Sequence, residues 1–203
     1  AQYRGVLSFP KYVLAAHLAE GKRALVVTPS GVEGVEKIVK AGATEVLVVG
    51  ATHQFPDSVQ ARADGVPNLP LHDGTVDLVV LGTRALEGSE ETLQALLLDL
   101  RRVLAPEGRV IAAVQMPGAR VFEFELPDVM GPDFWTLESL LNDTFGSSQL
   151  FAQMSWQGVA LSPVVGDDSS PQTEPEIILD ESALQADTEV SHYLMVAGGE
   201  KIA

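Results

Sequence analysis

A chain of 203 residues, 46% of them hydrophobic and 20% charged, is long enough for one full-sized core and too apolar for global disorder. Its 13 Lys+Arg against 28 Asp+Glu give a formal charge of −15, a field that repels nucleic-acid phosphates and anionic lipid, so neither partner is expected. With no cysteine, a disulfide framework, a thiolate metal site and a cysteine nucleophile are excluded. No apolar run has the length to span a bilayer and Ala1-Gln2-Tyr3-Arg4 does not read as a signal peptide, so the expected location is cytoplasmic.

In chain order, Phe9 to Ala19 has amphipathic helical spacing that Glu20-Gly21 ends. Arg23 to Thr28 is a short apolar run closed by Pro29-Ser30-Gly31, as suits a strand buried on both faces and followed by a tight turn. Val32 to Ala41 is spaced as a helix, and Glu45 to Gly50 repeats the buried-strand pattern. Asp73-Gly74 then introduces a strand from Thr75 to Leu81, Glu90 to Leu104 reads as a helix, Ala105 to Gly108 breaks it, and Arg109 to Val114 is another strand. Strands alternating with helices imply crossover connections and a largely parallel sheet covered on both sides, an α/β fold.

After Gln115 the rhythm changes. Val121 to Leu126 alternates with period two, Asp133 to Phe145 predicts a helix, and Leu150 to Pro163 and Val190 to Ala197 both read as strands. Between those strands, residues 166–189 hold eight acidic side chains, from Asp167 to Glu189, without a Lys or Arg, and are expected to form a mobile acidic insertion, with Ile177-Ile178-Leu179 as a candidate edge strand.

Four blocks taken together, "GKRALVVTPSGVEG", "VLVVGAT", "NLPLHDGTVDLVVLGTRALE" and "LLLDLRRVLAPEGRVIAAV", resemble in order and spacing the class I S-adenosylmethionine-dependent methyltransferases over roughly residues 20 to 115. The resemblance implies one domain over residues 1–203, a Rossmann-like three-layer sandwich whose mostly parallel sheet carries an antiparallel C-terminal strand. It also implies where a cofactor would sit. In that family the first strand ends in an acid and a glycine-rich turn at a helix start, where backbone amides approach the cofactor's carboxylate. Here Val26 stands in place of the acid, and Thr28 and Ser30 near the first two glycines, leaving Gly31 and Gly34. The family's second strand ends in a carboxylate that holds the ribose, whereas this one ends at Gly50, with Thr52 or His53 offering at most a neutral hydrogen bond. The acid often found near the adenine has Asp64 as its nearest counterpart, and the loop after the fourth strand offers only Arg84, which can hold an anion but not act as a base.

The vestigial cofactor positions are therefore Thr28, Ser30, Gly31, Gly34, Gly50, Thr52 and Asp64, with Arg84 a candidate substrate or anion contact and no catalytic set expected. Other features read more simply as structure. Pro29-Ser30-Gly31 suits an ordinary strand-to-helix turn as well as an anion-binding one, and His17, His53, His72 and His192 show no metal-ligand spacing. Asp167-Asp168 lacks the alternating oxygen ligands of a calcium loop, and Phe122, Phe124, Phe134 and Trp135 suit core packing as well as a partner surface. The expectation is a methyltransferase-like domain with no cofactor and no metal that serves as a protein-interaction or scaffold module, its partner a protein or a larger parent protein. The alternatives are an active enzyme holding S-adenosylmethionine through Ser30, Thr52 and Asp64, or a domain taking another nucleotide at Ser30-Gly31.

Overall fold

The computed structural model describes residues 10–62, 68–121, 124–125, 131–154, 190–200 and 202, and for 120, 121, 124, 125 and 154 it describes the backbone alone. The first amphipathic segment forms α1 (Pro10–Leu18), opened by a proline whose missing N–H would have had no helical partner at that position. β1 (Arg23–Val27), α2 (Glu33–Lys40) and β2 (Glu45–Val49) follow as a strand-helix-strand unit. Next come β3 (Val59–Arg62), β4 (Val76–Leu81), a 3-10 turn over Thr83–Leu86 and α3 (Glu90–Val103), whose start is capped by the Ser89 hydroxyl accepting the Thr92 amide. β5 (Leu104–Gln115) leads to the short pair β6 (Arg120–Val121) and β7 (Phe124–Glu125). Asp133 then caps α4 (Phe134–Phe145), Gly146 ends it in the left-handed conformation, and β8 (Ser148–Met154) and β9 (Val190–Ala197) complete the order.

Seven strands form one sheet in the order β3-β2-β1-β4-β5-β9-β8. The first five pair in parallel, while β9 runs antiparallel to both β5 and β8. Helices α1 and α2 cover one face, where Val26, Val48 and Val80 lie side by side in register. Helices α3 and α4 cover the other, over Val27, Val49 and Leu81. Burial on both faces is why the central strands are continuous apolar runs rather than alternating ones. The expected three-layer α/β sandwich with an antiparallel C-terminal strand is the fold observed.

Two elements differ from the sequence reading. Val59–Arg62 pairs with β2 as an edge strand, although only Val59 is buried; backbone pairing rather than an apolar run makes it a strand. Ala105 to Gly108, expected to separate a helix from a strand, is instead a bulge inside β5, since the pairing with β4 jumps from Leu104 to Arg109. Pro106 has no amide to offer a ladder there. The run expected as a strand over 150–163 is β8 as far as Met154, and 155–163 lie outside the described residues, as do 166–189, Phe122 and Asp64.

The turn before β4 is held by one guanidinium. Arg102 donates from Nε to Asp99 (2.7 Å), from Nη1 to Asp73 (2.7 Å) and the Leu71 carbonyl (2.8 Å), and from Nη2 to the Leu69 carbonyl (3.1 Å), while Asp99 accepts the Leu69 amide. A flat five-donor fork suits this set, and an ammonium or thioether does not. Arg102→Met is expected to speed amide hydrogen exchange across Leu69 to Thr75 while α3 keeps its protection; unchanged exchange in the turn would show that backbone bonds alone hold it.

Candidate functional site

In an open α/β sheet ligands bind outside the carboxyl ends of the strands, where the strand order reverses. Here that point is β1, flanked by β2 and β4. Its next residue, Thr28, donates its amide to the Val49 carbonyl (2.8 Å) and adopts φ 45°, the only left-handed non-glycine among the described residues. A β-branched side chain in that region is strained by about 1–3 kcal/mol.

What holds Thr28 is a pair of glycines. At Gly50, which has φ 67°, an added Cβ would lie 2.4 Å from the Thr28 methyl. At Gly82, whose amide donates to the Val27 carbonyl (2.8 Å), an added Cβ would lie 1.9 Å from the Thr28 carbonyl oxygen. The ends of β1, β2 and β4 therefore close on Thr28, whose hydroxyl is buried and makes no hydrogen bond.

The following turn is shaped by acids and a phenol. Ser30 is exposed, and a Cβ on Gly31 would meet a Glu33 carboxylate oxygen at 2.8 Å. Glu33 and Glu36 both lie in the first turn of α2, and no side chain caps that helix. Carboxylates at a helix start stabilise its dipole and oppose a bound anion. Gly34 is bare because Tyr12 of α1 packs on it, its ring 2.5 Å from where a Cβ would be. Tyr12 is 2% exposed, and its phenol lies toward the Ser30 backbone without a hydrogen bond of good geometry. Burial pushes that phenol above the usual tyrosine range, with the Ser30 backbone opposing.

The other expected site residues spread out. Thr52 and His53 are exposed and hydrogen-bonded to each other (3.1 Å). Arg84 is exposed on the 3-10 turn beyond β4, and Val26 is fully buried. Phe134 packs edge-on to Trp135 (4.8 Å between centroids) and against Tyr193 (4.9 Å), leaving Trp135 73% exposed. Among the described residues no His/Asp/Glu cluster is arranged to hold a metal, and no helix is long and apolar enough to cross a membrane.

The structure thus brings Thr28 and Gly50 together, with Ser30 and Gly31 on the adjoining turn and Gly34 in the first turn of α2. Three participants, Tyr12, Glu33 and Gly82, were not singled out in the sequence. Gly82 had a usable signal, a glycine directly after a strand buried on both faces, which marks a close backbone approach. Tyr12 and Glu33 read as an ordinary core aromatic and an ordinary helix-start acid.

No family model and no curated protein matches the chain by sequence. Solved structures do match by shape. A Burkholderia thailandensis 1,6-didemethyltoxoflavin-N1-methyltransferase with bound S-adenosylhomocysteine superposes with TM-score 0.58 at 13% identity, over 95% of this chain and 77% of that one. A SAM-dependent methyltransferase from Archaeoglobus fulgidus gives 0.57 at 13%, over 93% and 94%. A Haloferax volcanii methyltransferase, solved in complex with a methyltransferase activator protein, gives 0.52 at 12%, over 97% and 91%. At such identities the likeness is one of fold, that of the class I S-adenosylmethionine-dependent methyltransferases.

Proposed function

We propose that this chain is a methyltransferase-like domain that neither binds S-adenosylmethionine nor catalyses methyl transfer, and that it serves as a protein-interaction module. The observation that carries the reading is Thr28, which fills the space between the ends of β1, β2 and β4 with its own backbone and methyl group. The remaining residues do not fit the cofactor either. Val26 and Gly50 supply no charge for its amino and ribose groups, Glu33 and Glu36 oppose its carboxylate at the start of α2, and Thr52 is engaged with His53. Thr28, Ser30, Gly31, Gly34 and Gly50 are then a cofactor turn kept as architecture. Losing two or three charge-assisted bonds of about 1.5–3 kcal/mol each weakens binding by about two to six orders of magnitude.

The expected partner is a protein, met through the Phe122 to Trp135 segment or through the sheet edge near the acidic segment; among the described residues Trp135 is exposed beside Phe134, which supports the first. The Haloferax volcanii relative in shape, paired with an activator, is a precedent for this fold engaging a protein. Titration calorimetry with S-adenosylmethionine and S-adenosylhomocysteine is the test. No heat is expected with ligand up to about a hundred micromolar. A micromolar dissociation constant for either ligand would overturn the proposal and favour an enzyme with an atypical site.

A further inference from the structure

Helices α3 and α4 lie side by side on one face of the sheet. They are tied at both ends. Arg101, near the close of α3, donates from Nη1 to the Thr144 carbonyl near the close of α4, and a Cβ on Gly131, just before α4, would lie 3.2 Å from the carbonyl oxygen of Leu86, just before α3. The two helices therefore run in the same direction with their first turns level. Counting round α4 from its buried Leu137, Leu140, Leu141 and Thr144 turns Trp135 outward, with Glu138 on its flank. Counting round α3 from Leu93, Leu96, Leu97 and Leu100 turns Glu91 and Leu98 outward.

Trp135 and Leu98 are the two most exposed large apolar side chains among the described residues. Trp135 is held in place, because Phe134, itself packed on Tyr193 of β9, meets it edge-on. An indole face is the best aromatic acceptor for a cation. The charge around it has the matching sign: Glu87, Glu90 and Glu91 gather at the start of α3, and Asp133 and Glu138 at the start of α4. Residues 122–123, 126–130 and 155–189 contain neither Lys nor Arg, so none of them brings a positive charge to this face. Arg84 on the 3-10 turn, Arg120 of β6 and Arg4 ahead of α1, together with about one positive charge from the two helix dipoles, would still be outnumbered by these five carboxylates. Arg101 and Arg102 lie at the other end of α3.

We infer that the outer face of α3 and α4 docks a cationic segment of a partner protein, an arginine of that segment lying on the Trp135 indole with Glu91 and Glu138 to pair with it, and an apolar side chain resting on Leu98. A guanidinium suits the place better than an ammonium, since its plane stacks on the ring while its edge donates to carboxylates. The inference rests on the reading of the domain as a protein-interaction module and names the chemistry of what it meets.

NMR on the intact chain tests it, with a short amidated peptide of alternating arginine and leucine as the probe and the same peptide with glutamate for arginine as the control. The indole N–H signal of Trp135, assigned by its loss in Trp135→Phe, and the amides of 90–92 and 135–139 are expected to shift with the arginine peptide and not with the control. Trp135→Ala is expected to weaken binding about fivefold to tenfold, and Glu91→Gln combined with Glu138→Gln about threefold. These side chains lie outside the core, so the two sets of variants test the face independently of folding. No shift at about millimolar peptide, shifts confined to residues 166–189, equal binding of both peptides, or an affinity indifferent to both sets of variants would overturn the inference. So would a Trp135 signal that moves with protein concentration alone, which would make a second copy of the chain the occupant. Cofactor calorimetry reads the other half of the proposed function separately, since heat from S-adenosylmethionine would defeat the loss of cofactor binding without altering these peptide outcomes.

Discussion

Gly82→Ala is expected to lower the unfolding free energy by about 1–3 kcal/mol or more when checked by chemical denaturation, although it adds a single methyl group. Conformation is not the cause. Gly82 has φ −67°, where alanine is at ease. The cause is space: the new Cβ would fall 1.9 Å from the Thr28 carbonyl oxygen, 2.6 Å from its carbon and 2.8 Å from the Val27 carbonyl oxygen. All three are backbone atoms at the end of a strand paired on both sides, so none can rotate away, and the Gly82 amide bond to Val27 would be broken by any shift. Gly74→Ala is the matched control, with φ 65° and nothing within 4 Å of the added Cβ, and it is expected to cost only about 1 kcal/mol from backbone strain. A Gly82→Ala loss as small as that of Gly74→Ala would mean that the strand ends yield.

Leu97→Ala and Leu98→Ala, adjacent on α3, should differ by several-fold in cost. Leu97 is fully buried against the sheet in the cluster that includes Val79 and Val110, and truncating it leaves a cavity that costs about 2–5 kcal/mol. Leu98 is 58% exposed, and its truncation should stay within about 0.5 kcal/mol. Paired thermal or urea melts check both. Equal losses would place Leu98 in an apolar contact that the isolated chain does not have.

The strands of the sheet's centre were legible because burial on both faces leaves an unbroken apolar run, as in Ala24 to Val27, and such a run admits little else between turn residues. β3 was not, since one buried valine and three exposed residues carry no periodic signal, and its strand character comes from β2. The site was legible in part for a similar reason. Substitution of expected glycines and acids shows in single letters, so Val26, Thr28, Ser30 and Gly50 could be named without coordinates. The contacts that give those letters meaning, Thr28 on Gly82 and Tyr12 on Gly34, join residues 54 and 22 positions apart and depend on register and helix docking. Lys11, buried in the first turn of α1, is further still from a readable motif, because a lysine there normally faces water.

Thr28 and the two glycines that confine it also bear on how the molecule breathes. Segments that admit ligands are drawn from the least stable parts of a fold, where a turn can open while the core persists. This turn begins with an amide bonded across to β2 and a carbonyl wedged under Gly82, so displacing it means separating three central strands at once. Opening of this turn in the folded state is therefore expected to be about as rare as opening of the ends of β1, β2 and β4 themselves.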